Sequence, residues 1–164
     1  MNASKTTSLQ LVSHNPEQTQ DLGVHLGKLA NAGDVFLLTG NLGSGKTCLT
    51  QGIARGLGIK EYTSSPSFII IREHHGSIPL YHMDFYRLDY IEEITDLGLE
   101  EYFYGNGVCV VEWAKKGINI LPKNHLLIDL SYISYTVRSL SIEAEGNRYS
   151  QLLQSLCKDL KTWS

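Results

Sequence analysis

No stretch of this 164-residue sequence approaches the roughly 18 consecutive apolar residues that a membrane-spanning helix needs. The opening residues, MNASKTTSLQ, lack the apolar core of an export signal, so a cytoplasmic location is expected. Cysteine is scarce: Cys48, Cys109 and Cys157 are odd in number, and no two have the Cys-x-x-Cys spacing of zinc or redox sites. Three buried, reduced thiols are the expectation. Basic clustering is also missing. The 14 Lys and Arg are scattered against 17 Asp and Glu, Lys115-Lys116 is the sole adjacent pair, and the net charge is −3. A chain that grips nucleic acid by itself usually presents a basic face. Any contact with RNA is therefore expected to run through a partner. No repeat, low-complexity tract or linker divides the chain, so residues 1–164 are read as one domain.

What is present is a soluble-type composition, 42% hydrophobic and 19% charged, with enough apolar residues for one core. Thr6–Ser13 resembles a short strand. Asn15-Pro16-Glu17-Gln18 then opens a helix, with Asn as N-cap, Pro at the first helical position and Gln three after the cap. Leu22, Leu26 and Leu29 give that helix an inward face. Val35–Leu38 and Val108–Val111 are short continuous apolar runs, suited to parallel strands covered on both sides. A helix is expected over 46–57, closed by Gly56 and Gly58. Strands are expected over 68–71 and 80–86, with His74-His75-Gly76-Ser77 as a solvated turn between them. Residues 91–104 suggest one or two short helices broken at Gly98. Strands over 125–133 and 136–144 form a hairpin with one solvated face, and a last helix covers 148–160. The fold class is α/β: a mostly parallel sheet with antiparallel edge strands and flanking helices, P-loop NTPase-like.

The most informative stretch is Gly40-Asn41-Leu42-Gly43-Ser44-Gly45-Lys46-Thr47, followed by Cys48. Its glycines allow a tight bend in which successive N–H groups point at phosphate oxygens, and the next helix offers its positive end to the same anion. In this pattern Lys46 reaches the β- and γ-phosphates and the Thr47 hydroxyl ligates Mg²⁺. ATP and Mg²⁺ are the expected cofactors. A cradle needs an acid near the metal and a group that orients the attacking water. Asp84, in His82-Met83-Asp84-Phe85-Tyr86-Arg87, and Glu112, after Val108–Val111, both stand at strand ends. Glu112 is the candidate for water activation and Asp84 for holding Mg²⁺. Arg87 is a candidate for phosphate charge, and Ser65 and Ser67 for sensing the γ-phosphate. Trp113 is read as a core residue.

The loop alone leaves a kinase, a GTP switch and an ATP-driven factor open. The Asp-x-x-Gly and Asn-Lys-x-Asp strings of guanine-specific switches occur nowhere in the chain. Its five arginines are too far apart to form the compact lid of a small-molecule kinase, which weakens that alternative. A nucleotide-dependent binding module that regulates without turnover stays open.

Further strings narrow the choice: Ser65-Pro66-Ser67-Phe68, His82-x-Asp84-x-Tyr86-Arg87, Leu97-Gly98-Leu99-Glu100-Glu101-Tyr102-Phe103, Glu112-Trp113-Ala114 and Leu121-Pro122. In this order, and collinear from about Ser13 to Arg138, they resemble the bacterial ATPase family of tRNA threonylcarbamoyladenosine biosynthesis (TsaE/YjeE). The resemblance implies an ATPase weak on its own that serves two partner subunits, TsaD-like and TsaB-like. It places Thr47, Asp84 and Glu112 at the metal, Glu112 and Lys46 in catalysis, and Ser65 and Ser67 in a switch. Asn41, Ser44 and Cys48 depart from the family's usual Asp, Ala and Thr, without removing a phosphate-binding N–H.

Overall fold

The computed structural model describes residues 7–60 and 70–161. In chain order the elements are β1 (Ser8–Ser13), α1 (Pro16–Leu29), β2 (Val35–Thr39), α2 (Lys46–Gly56), β3 (Ile71–His74), β4 (Leu80–Asp84), α3 (Ile91–Thr95), α4 (Glu100–Phe103), β5 (Val108–Glu112), a 3₁₀ turn (Ala114–Gly117), β6 (His125–Tyr132), β7 (Arg138–Glu145) and α5 (Asn147–Asp159). The strands form one seven-stranded sheet in the order β1-β7-β6-β2-β5-β4-β3. Its centre, β6-β2-β5-β4, is parallel. Antiparallel strands complete both sides, β7 then β1 on one and β3 on the other.

The apolar runs become the buried middle. Every residue of β2 and of β5 is buried. Along these strands alternate residues serve opposite layers. Phe36 and Leu38 join Val108 and Val110 under α1, α2 and α5, while Val35 and Leu37 join Cys109 and Val111 under α3, α4 and the 3₁₀ turn. A parallel strand buried on both faces needs this continuous hydrophobicity. The β6–β7 hairpin is buried only in alternation, as its sequence pattern required.

Local signals set the first helix. The Asn15 side chain accepts from Gln18 N at 2.8 Å, and the Gln18 side chain reaches back to His14 N at 2.7 Å. This is a reciprocal cap displaced by one residue from the usual box. At the other end of the chain, Arg148 grips the Asp34 carboxylate with two nitrogens at 2.8 and 3.1 Å, and Val35 N donates to Tyr149 Oη at 2.8 Å. α5 is thereby tied to the start of the central strand.

α1 and α2 touch backbone to backbone through two pairs of glycines. A Cβ on Gly23 would stand 2.4 Å from Leu49 O, and one on Gly27 2.3 Å from Ile53 O. On α2, Gly52 would meet Gln20 O at 2.0 Å and Gly56 would meet Val24 O at 2.3 Å. Gly56, the last residue of α2, is thus also a packing residue. The stop is Gly58, whose φ of +79° only glycine adopts without strain.

Several expectations need correction. β3 begins at Ile71, and residues 68–69 of the expected strand lie outside the described residues, as do Ser65 and Ser67. β4 ends at Asp84: Phe85 N still donates to Glu112 O at 3.1 Å, but Phe85 O then accepts from Leu88 N and the chain enters a turn. His74 is buried at the end of β3, where the strand register turns it inward, while His75 is exposed. Of the three thiols only Cys109, inside β5, is buried; Cys48 and Cys157 lie on partly covered helix faces.

Substituting Gly52→Ala inserts a methyl where the neighbouring carbonyl leaves no room, so the two helices must separate. A loss of about 1–3 kcal/mol is expected, read as a lowered urea midpoint with unchanged slope. An unchanged midpoint would show that the helices have slack.

Candidate functional site

The central strand delivers the site. β2 ends at Thr39, between β6 and β5, and the chain bends through Gly40, Gly43 and Gly45, with φ of +138°, +79° and +105°, into α2. The C-terminal edge of parallel strands, where neighbours lie on both sides, is where open α/β sheets hold ligands. At Gly40 the constraint is also one of space: a Cβ would meet Leu130 O at 2.4 Å and Ser44 Oγ at 2.6 Å.

The two long helices at this edge begin differently. α1 is capped by Asn15 and carries Glu17 in its first turn, whereas α2 has no side-chain cap and no acid in its first turn. Helix geometry leaves the first four N–H groups without intrahelical partners. At α2 these groups and the positive end of the helix are therefore available to an anion.

A cleft of about 460 Å³ opens here, lined by Leu42 to Cys48, Asp84, Tyr86, Arg87, Glu112 and Trp113. The sequence-derived candidates Leu42, Gly43, Ser44, Gly45, Lys46, Thr47, Cys48, Asp84, Arg87 and Glu112 all meet in it. Asn41 does not line it: that residue is exposed, and only its backbone carbonyl takes part, accepting from Lys46. A larger cavity of about 710 Å³ lies at the opposite, N-terminal ends of the strands, among Val35, Leu99, Phe103, Ile120 and Tyr149. It holds neither the glycine loop nor the acids, so the chemistry belongs to the smaller cleft.

Inside the cleft the charges are buried and balanced. Lys46, Asp84 and Glu112 are 5%, 5% and 2% exposed. The Lys46 ammonium donates to Gly40 O at 2.7 Å, Asn41 O at 2.9 Å and Ser44 Oγ at 3.2 Å. Burial pulls its pKa below the ordinary lysine value, and Glu112, Asp84 and Asp129 oppose that pull. Asp84 and Glu112 are direct partners across the β4–β5 pairing. Asp84 accepts from Tyr86 N at 2.8 Å, and Glu112 Oε1 accepts from the Thr47 hydroxyl at 3.1 Å. One hydroxyl and two carboxylates at the mouth of an anion-ready helix form the hard oxygen set that suits Mg²⁺, which prefers few protein ligands plus phosphate and water. Among the described residues no group of three or more His, Cys, Asp or Glu forms a closed metal cage.

Sequence reasoning missed three contributors. Trp113 packs on the core but also walls the cleft, its indole 4.2 Å from Lys46 Nζ and 4.8 Å from the Tyr86 ring. It holds a φ of +59°, the one positive φ outside glycine among the described residues. Such strain costs about 1 kcal/mol or more and persists where surroundings impose it. Arg138, at the start of β7, reaches across to Gly43 O at 3.1 Å and braces the loop. His82, fully buried on β4, contacts Glu112 Oε2. Its one sequence signal is the spacing His82-x-Asp84, which strand alternation turns toward the same face.

Seven strands in this order, with a glycine loop leading from the central strand into a helix, define a P-loop NTPase-like domain. Comparison with known proteins is more specific. The family described as threonylcarbamoyl adenosine biosynthesis protein TsaE matches residues 13–140. The chain is 45% identical over 145 residues to the Bacillus subtilis tRNA threonylcarbamoyladenosine biosynthesis protein TsaE, covering 88% of this chain and 90% of that one. It is 41% identical over 141 residues to the Treponema pallidum protein of the same name, covering 85% and 96%. The crystal structure of Bacillus subtilis YdiB superposes with a TM-score of 0.82 at 38% identity, over 96% of this chain and 99% of that one. This chain belongs to the TsaE family of tRNA threonylcarbamoyladenosine biosynthesis.

The three thiols sample different depths of the fold, and Cys48 alone lines the cleft. Burial, followed by Glu17, raises the Cys48 thiol above its ordinary value, and burial pushes Cys109 up to about 12. A raised pKa leaves less thiolate at a given pH. With iodoacetamide at pH 8, Cys157 is expected to react first, Cys48 more slowly with a rate that climbs with pH, and Cys109 only on unfolding. Mass spectrometry showing Cys109 labelled as fast as Cys157 would contradict this burial order.

Proposed function

We propose that the chain binds Mg-ATP in the 460 Å³ cleft and hydrolyses it as the ATPase subunit of a tRNA-modifying assembly. The observation that carries this reading is the convergence of Lys46, Thr47, Asp84 and Glu112 on the uncapped N-terminus of α2. The loop N–H groups and Lys46 would hold the phosphates, with Thr47, Asp84 and Glu112 as ligands or outer partners of Mg²⁺. When bound, the cation supplies charge neutralisation at the transferring phosphate. Glu112 would orient a water and accept its proton, while Trp113 and Tyr86 close the side of the cleft and limit bulk water.

Family membership supports placing this turnover in the threonylcarbamoylation of tRNA. The TsaD-like and TsaB-like subunits would carry the transfer and the contact with tRNA. The net charge of −3 and the dispersed lysines and arginines favour such indirect contact. ATP turnover would drive or reset the partners' cycle.

Two substitutions test the assignment. Lys46→Ala removes the cation of the cradle and is expected to abolish Mg-ATP binding in calorimetry; equal affinity in the variant would refute the cradle. Glu112→Ala is expected to keep ATP binding while phosphate release falls by about 10²-fold or more, on the scale of general-base loss, and partner-dependent tRNA modification stops. If modification continues at the normal rate, the nucleotide regulates the assembly without turnover.

A further inference from the structure

We propose that His82 is a positioning residue for Glu112, holding one carboxylate oxygen so that the other alone faces the cleft. The inference rests on reading Glu112 as the water-orienting group.

Strand alternation turns His82 and Asp84 of β4 toward α2, beside Val110 and Glu112 of the adjoining β5. His82 is 0% exposed, and its Nε2 makes a hydrogen bond to Glu112 Oε2. An ionised carboxylate can only accept, so the imidazole donates, which sets the proton on Nε2. Nδ1 is buried without a hydrogen-bond partner among the described residues. Leu80, two residues earlier on the same face, is apolar and fully buried, as is Val110 alongside. A purely packing role at position 82 would be met by such a side chain without the cost of an unmatched nitrogen. The bond to Glu112 is the return for that cost.

The need for a second hold follows from the neighbours. The terminal torsion of a glutamate is broad, so one hydrogen bond leaves its carboxylate free to turn. Glu112 Oε1 is held at 3.1 Å by the Thr47 hydroxyl, the same group that would serve Mg²⁺. Directly across the strands stands Asp84, a like charge that pushes the carboxylate away. His82 is anchored in the sheet rather than in the loop. With Thr47 serving a bound cation, His82 would still hold Oε2 and leave Oε1 for the water.

The full chain carrying His82→Leu, His82→Gln or Glu112→Ala tests this by Mg-ATP calorimetry, steady-state hydrolysis and histidine side-chain ¹H–¹⁵N spectra. In His82→Leu, kcat is expected to fall about 10–100-fold, the scale for outer-shell partners, with KM and Kd within about twofold of wild type. His82→Gln, whose amide places a donor near Nε2, is expected to recover most of that loss. The wild-type spectrum should carry a far-downfield Nε2–H signal that disappears in both His82→Gln and Glu112→Ala. Wild-type kcat in His82→Leu beside an inactive Glu112→Ala overturns the role of His82 and leaves Glu112 standing. Equal losses of affinity and rate, or no rescue by Gln, reduce His82 to a structural residue. If Glu112→Ala turns over normally, the reading of Glu112 falls and the role of His82 with it. The spectra need no catalysis: a downfield signal that persists in Glu112→Ala refutes the bond even if the leucine variant fails to fold.

Discussion

The close approach of α1 and α2 is the constraint on which the rest of the structure depends. Four glycines, Gly23 and Gly27 on one helix and Gly52 and Gly56 on the other, let the two backbones touch with no side chains between them. A larger residue at any of the four would push α2 outward. α2 cannot move alone, because the glycine loop runs directly into its first turn and its lower face covers β2 and β5. The same contact thus fixes the height of the loop above the sheet, and with it the distance from Thr47 to Glu112.

Around that fixed helix the site is a problem in charge balance. Two acids on adjacent strands would repel each other, and a buried ammonium would be poorly solvated. Placed together, each offsets the cost of the others. The Lys46 ammonium lies among loop carbonyls and against Trp113, and Glu112 is held from both sides. Fixed donors around buried charges strengthen the electrostatic contacts made there. Trp113, with its left-handed backbone, lays its indole over the lysine while still packing on the core.

Much of this was legible from residue order. Continuous apolar runs marked β2 and β5, alternation marked β7, and Asn15-Pro16 marked the start of α1. The glycine loop and the strand-end acids located the cleft, because a strand's last residue emerges at the sheet's C-terminal edge whatever the tertiary details. Errors fell where a residue's neighbour is far away in the chain. Gly56 does end α2, but its role in packing shows only when α1 is laid against it. His74 reads as a solvated turn residue until β3 is paired with β4 and its face defined. Trp113 does pack on the core, as its sequence suggests, but its place over Lys46 leaves no trace in composition.

The sequence by itself determined the class of fold, the glycine loop, the pair of strand-end acids and the family. Each is written in short-range periodicity, in turn chemistry or in ordered strings. Only the tertiary structure decided which donors hold Glu112. Its partners lie 65 residues away in α2 and 30 away in β4, and they meet it only through the register of β4 on β5 and the height of α2 above them. Periodicity says which face a side chain takes; it does not say what stands opposite.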